Sequence, residues 1–318
     1  MQRFIVRRFL FMSFSLLVAT AVVFGLSRAT GDPLLLYAKP GGYGMTAEQI
    51  AALTKKLGLD KPLVVQYFMW LGKFVRGDFG RTILDERPVF KVIEEKIFNT
   101  LRLGLGAWLW AVLVSVPFGV LSAVRRGTVW DYAGRAFAIF GMCTPAFWIG
   151  LMAMLLFSVK LGWLPAGAMD PTKAPFWSWT HIKYYIMPAV IMGWYPAAAL
   201  LRLTRSAMLD ILDSEFIKFA RAKGVTGRLV IWKHAFRNAL IPPLTMMALT
   251  MAGFIGGAVV IETVFAWPGM GRLAVQAIFN NDFPLLQACV LLFAGIFVVT
   301  MFVADVLYAY VDPRIRFT

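Results

Sequence analysis

Residues 285–309 read LLQACVLLFAGIFVVTMFVADVLYA, a stretch without any formal charge until Asp305. A helix rises about 1.5 Å per residue, so roughly 20 apolar residues cross the ~30 Å hydrocarbon core of a bilayer. Comparable runs lie at about 9–26, 100–122, 136–159, 186–204 and 239–261, which predicts an all-α integral membrane protein with six transmembrane helices. Composition agrees: of 318 residues, 59% are hydrophobic and 15% charged, with a mean hydropathy of +0.70, against roughly 25% charged in a soluble domain. No single water-soluble core buries that much apolar surface.

A formal charge of +15 would suggest nucleic acid as the partner of a soluble chain, but here the basic residues gather between the apolar runs. Arg3, Arg7 and Arg8 precede the first run, and Arg125, Arg126 and Arg135 follow the second. Arg202, Arg205, Lys218, Arg221, Lys223, Arg228, Lys233 and Arg237 lie between the fourth and fifth, and Arg314 and Arg316 follow the sixth. The short loops of the other side hold Lys173, Lys183 and Arg272. Cytoplasmic loops carry the excess of basic residues, so the N- and C-termini are expected in the cytoplasm. The long segment 29–98 is basic as well, but long segments cross regardless of charge. The first run is too long for a signal-peptide core and lacks a small-residue cleavage site after it, which predicts a retained helix.

Cys143 and Cys289 both fall inside apolar runs, so neither a disulfide framework nor a zinc site is supported. His181 and His234 fall on opposite sides of the expected topology, and no metal site is expected. There is no phosphate-binding loop, no His-Glu-x-x-His and no Gly-x-Ser-x-Gly, so no enzyme chemistry is expected in this chain. Pro117, Pro145, Pro188 and Pro196 are expected to break the spans. Gly253 and Gly257 are expected to let helices approach closely, and Trp108, Trp110, Trp148 and Trp163 to form an interface belt. Glu262 and Asp305 are expected near span ends, where water is at hand, and Arg102 is expected to snorkel.

Residues 210–243 read DILDSEFIKFARAKGVTGRLVIWKHAFRNALIPP. Asp210, Asp213 and Glu215 lead into a short helix, as suits its N-terminal dipole, and Gly224 permits the left-handed turn that ends it. A second basic amphipathic helix, 228–238, then runs into the membrane at Ile241-Pro242-Pro243. Composition alone reads this as a solvated basic loop. The run Ala220-Arg221-Ala222-Lys223-Gly224, with His234, Arg237 and Asn238 behind it, resembles instead the cytoplasmic loop of binding-protein-dependent ABC importer permeases. The general signature of that family has a Glu where this chain has Lys218. The departure resembles the dipeptide, oligopeptide and nickel branch, in which Glu215 would have to supply any acidic contact.

Further motifs fit the first, B-type membrane subunit of that branch. They are Gly58-Leu-Asp-Lys-Pro62 with Gly77-Asp-Phe-Gly80, Thr144-Pro-Ala-Phe-Trp148, and Leu161 to Gly167. Glu262-Thr-Val-Phe265 with Pro268-Gly269-x-Gly271, Asp282-Phe283-Pro284 and Val311-Asp312-Pro313-Arg314 complete the set. The resemblance implies an ABC type I importer permease fold, with 1–98 forming a first transmembrane helix plus a long extracytoplasmic segment. Residues 99–318 would form a five-helix core with a cytoplasmic coupling loop at about 207–237. It implies a multi-pass protein of a bacterial or archaeal inner membrane. Its partners would be a second related permease, two ATPases that bind ATP and Mg, and an outer solute-binding protein; the chain itself would carry no cofactor. Glu262, Pro268, Gly269, Gly271 and Asp282 would form an outer gate. An ion-gradient-driven transporter or channel would instead call for coupling carboxylates inside the spans, whereas here acids gather in loops and at span ends.

Overall fold

The computed structural model describes residues 2–29, 48, 54–55, 58–169 and 178–311. Lys173, Arg314, Arg316 and the Val311-to-Arg314 ending beyond Val311 lie outside the described residues. Among the described residues, ten elements carry the fold. These are α1 (Gln2–Ala29), α2 (Leu63–Val75), α3 (Val89–Val124), α4 (Val129–Cys143) and α5 (Ala146–Ala153), the last continued by a π-helical turn, Met154–Lys160. After them come α6 (Trp179–Leu212), α7 (Glu215–Ala222), α8 (Ile241–Val264), α9 (Met270–Phe279) and α10 (Phe283–Val311). Between α7 and α8, the turns Gly227–Leu229, Val230–Phe236 (π-helical) and Arg237–Ala239 follow one another without a gap.

Among the described residues, four helices are long and apolar enough to cross a bilayer alone, and the number rises to six if each of two bent pairs counts as one span. The third expected span is not one helix. α4 and α5 meet at 107° across Thr144, whose extended backbone (φ −100°, ψ 128°) is what a residue before proline adopts. The bent unit runs from one end of the bundle to the other: Asp131 near its start meets Arg205, whereas Ala168 beyond its end meets Phe265 at the opposite end. Pro117, Pro188 and Pro196, by contrast, interrupt nothing and lie inside α3 and α6. The second span also begins earlier than its apolar run, because Val89, Val92 and Ile93 bury against α9 and α10.

α3 and α6 form the spine, and small residues bring them together. A Cβ at Gly193 would stand 2.5 Å from the Ala107 carbonyl, and one at Gly119 would stand 2.8 Å from Thr204 Cβ. Gly253, in α8, faces open space instead. Trp108 and Trp110 are drawn inward rather than left in an interface belt: Trp108 Nε1 donates to the Met247 carbonyl at 2.9 Å, and Trp110 stacks on Trp194 at 6.0 Å. Trp148 and Trp163 remain exposed. α1 is peripheral, packing on α10 and α2, and Arg8 closes an ion pair with Asp305 at 2.8 Å. The two cysteines are free, and no cluster of metal-ligating side chains occurs among the described residues.

Replacing Gly193 by Val should therefore separate α3 from α6. The obstruction is backbone, which cannot swing away, so the expected cost is about 1–3 kcal/mol, read as a lower melting temperature of the detergent-purified subunit. The same substitution at Gly253 should leave the melt unchanged.

Candidate coupling loop and outer cap

The loop that protrudes at one end of the bundle is built on one buried side chain. Ile217 of α7 is fully buried in a socket that includes Val120, Ala123, Met208, Val230 and Ala235. Burying such a side chain contributes about 1.5–3 kcal/mol, enough to hold an eight-residue helix that could not persist alone. Asp210 and Asp213 belong to the end of α6 rather than to the start of α7, so Glu215 is the acid in its first turn. The helix stops in a left-handed turn. Gly224 has φ +79°, its N–H bonds the Arg221 carbonyl at 2.9 Å, and the Val225 N–H reaches back to the Ala220 carbonyl at 3.2 Å. This pair of bonds satisfies the last carbonyls of the helix.

With Ile217 turned inward, α7 presents Glu215, Phe216, Lys218, Phe219, Arg221, Ala222 and Lys223 outward, all exposed. Glu215 pairs with Lys218 at 2.8 Å, and the Lys223 ammonium lies 4.7 Å from the centre of the Phe219 ring. His234 is half-buried, with its carbonyl accepting from Asn238 Nδ2 at 2.6 Å, while Arg237 and Asn238 are exposed.

The opposite end is closed by the α8–α9 connection. Glu262 does not lie in water as its position near a span end suggested; it is fully buried. α9 folds back over it, and the carboxylate accepts from the Gly271 N–H at 2.7 Å, the Arg272 N–H at 3.1 Å and the Thr100 hydroxyl at 2.6 Å. It occupies the N-terminus of α9, where free N–H groups and the helix dipole favour an anion. Glycine is required here for space: a Cβ at Gly269 would lie 2.2 Å from the carboxylate, and one at Gly271 would lie 2.6 Å from Val259 Cα. Pro268 is held by its carbonyl, which accepts from Asn99 Nδ2 at 2.9 Å, and Trp267 Nε1 donates to the Asn99 carbonyl at 3.2 Å. The Ala168 N–H adds a bond to the Phe265 carbonyl at 2.7 Å.

Asp282 is not part of that cluster. It caps α10 beyond the far end of α9, accepting from the Leu285 N–H at 3.2 Å and the Ile83 N–H at 3.0 Å. Burial raises its carboxyl above the ordinary carboxylate range, against the pull of those two donors.

One node escaped sequence reasoning. Asp131, 1% exposed, accepts from Arg205 Nε at 2.7 Å, Ser122 Oγ at 2.9 Å, the Gly127 N–H at 3.0 Å and Arg135 at 3.2 Å. It joins α3, α4 and α6 directly behind the socket of Ile217. The only local signal was an Asp in the first turn of a helix four residues before an Arg.

The helical bundle thus carries a short anchored helix at one end and a folded-back helix at the other, and similarity to known proteins says what kind of membrane protein it is. Residues 115–317 match the family described as binding-protein-dependent transport system inner membrane component, and residues 1–103 match its N-terminal companion. The chain belongs to that family: it is a permease subunit of an ABC importer, a multi-pass protein of the inner membrane. It is 40% identical to the oligopeptide transport system permease protein AppB of Bacillus subtilis (strain 168), over 100% of both chains. It is 37% identical to the glutathione transport system permease protein GsiC of Escherichia coli (strain K12), again over 100% of both. Among solved structures it shares its fold with the MetNI methionine ABC transporter in an inward-facing form, with a TM-score of 0.58 at 16% identity, over 71% of this chain and 99% of that one.

The Glu262 node yields a direct test. Glu262→Gln keeps an acceptor of the same shape, whereas Glu262→Ala leaves two N–H groups and the Thr100 hydroxyl facing a void. The expected losses are about 1 kcal/mol and about 3 kcal/mol respectively, measured as unfolding in detergent. No loss in Glu262→Gln beside a full loss in Glu262→Ala would show that the carboxylate only fills space.

Proposed function

We propose that this permease forms half of a pathway for peptides, with a second, related permease supplying the other half. Two cytoplasmic ATPases would dock one on each permease loop, ATP and Mg would bind in those ATPases, and an outer solute-binding protein would deliver the cargo. The substrate class rests on the full-length relatives, whose names specify oligopeptide and glutathione. The orientation rests on charge. The end that carries Arg125, Arg126, Arg205 and the 215–237 loop faces the cytoplasm, which leaves segment 29–98 and the α8–α9 connection outside.

The observation that carries the mechanism is the division of α7 into a buried anchor, Ile217, and an exposed aromatic and basic face around Phe216, Phe219, Arg221 and Lys223. A surface of this kind has no lipid to bury in and suits a groove on a soluble partner. Closure of the ATPases on ATP would move α7 together with the ends of α3 and α6 that grip it. The spans would transmit the displacement to the outer cap around Glu262, Pro268, Gly269 and Gly271, giving alternating access. Asp282, holding Ile83 of the outer segment against the start of α10, would belong to the hinge side of that gate.

Gly224→Val is the sharpest perturbation, because the space around Gly224 is open and the cost comes from φ alone, about 1–3 kcal/mol. The subunit should still insert, while uptake and transport-linked ATP hydrolysis fall together. Reversing Arg221 and Lys223 to Glu should weaken ATPase association in a salt-dependent way. Unchanged uptake and association in both variants would reduce the loop to a solvated connection. Uptake that persists without the ATPases while an ion gradient holds would favour a gradient-driven transporter.

A further inference from the structure

α6 is the most enclosed of the long membrane helices, and its exposed side is unlike theirs. α1 and α10 expose Leu17, Val22, Val299 and Val303, as helices facing lipid do. Every Leu, Ile, Val and Met side chain of α6 is buried or half-buried. Beyond its first turn, α6 exposes Tyr195, Arg202, Ser206 and Asp210 instead. At 3.6 residues per turn these four fall within about 80° of one another, so they form one polar stripe along the innermost helix. Charged side chains on a membrane helix face water or protein rather than hydrocarbon.

The stripe is closed at one end. On the same side of α6, Pro188, Ile191 and Met192 are buried, the last two in a core cluster with Phe265 and Trp267 of the α8–α9 connection. From Tyr195 to the α7 end it is open. Neither of its charges is neutralised: Arg202 and Asp210 close no ion pair with any described residue, whereas Arg205 and Asp213 beside them are held by Asp131 and Arg126. A cation and an anion thus stand on one open side of the helix, eight positions and about 12 Å apart along its axis.

We propose that this stripe is the cargo's last seat before the cytoplasm and that it holds a short zwitterionic peptide by its two ends. The C-terminal carboxylate lies on the Arg202 guanidinium, and the N-terminal ammonium lies against Asp210. An extended chain spans about 3.3 Å per residue, so the separation of the two charges suits about three or four residues. What peptides of different sequence have in common is their termini and their backbone, and a seat of this kind reads those and ignores the side chains. The inference deepens the peptide reading above and rests on it, and the word cytoplasm rests on the orientation proposed there.

The test uses the complete complex with its partner subunits in phosphatidylcholine nanodiscs, without nucleotide. Ser206→Cys places a thiol between the two charges, in a Cys143→Ser background because Cys143 is exposed. Maleimide should label that thiol, and trialanine should protect it. Trialanine amide and N-acetyl-trialanine should each need about tenfold more for the same protection. Arg202→Gln should erase the difference between trialanine and its amide, Arg202→Lys should restore most of it, and Asp210→Asn should erase the difference for the acetylated peptide. A merely structural role for either residue would leave these ratios as they were. Equal protection by all three peptides, or ratios untouched by the variants, would overturn the proposal. So would a thiol that never reacts, since the second permease then covers the stripe, or one that anionic phosphatidylglycerol nanodiscs shield without any peptide. Uptake of mixed tripeptides by the complex with its solute-binding protein in proteoliposomes tests the peptide reading by itself. Uptake without protection would overturn the seat alone, and absence of uptake would overturn both.

Discussion

Asp131 sets the geometry of the end of the bundle that carries α7. A carboxylate with 1% exposure is costly to bury, and here four groups from α3, the α3–α4 turn, α4 and α6 offset that cost at 2.7–3.2 Å. Because Arg205 is itself largely shielded, neither partner can leave without stranding the other. The three helix ends consequently behave as one piece, and the socket for Ile217 is cut into that piece.

The opposite end solves a related problem with different means. Among the described residues Glu262 meets no cation; its carboxyl accepts from backbone N–H groups at the start of α9 and from Thr100. The Arg205 fork fixes Asp131 at two points, whereas a carboxylate seated on a helix terminus is lost when the helix tilts.

Much of this was legible in the chain itself. Spans are long apolar runs, and a run is a local property; the left-handed turn at Gly224 likewise announces itself through one residue type in one context. The nodes were not legible, because their partners are far apart: Asp131 and Arg205 are separated by 74 positions, and Thr100 and Glu262 by 162. Nothing at Glu262 in the sequence says that α9 will fold back over it, so the expectation of a wetted carboxylate was reasonable and wrong. Prolines misled in the opposite direction. Three of the four named sit within helices whose packing outweighs the local penalty, and only Pro145, preceded by an extended Thr144, turns the chain.

The π-helical turn Val230–Phe236 has a bearing on how such permeases diversify. A turn of this kind is what an α-helix becomes when it absorbs a single inserted residue without unravelling. The rotation of the segment that faces α7 is therefore uncoupled from the rotation of the segment that enters the membrane at Ile241. A lineage can turn the segment facing α7 by gaining or losing one residue here, and the register of α8 stays where it was.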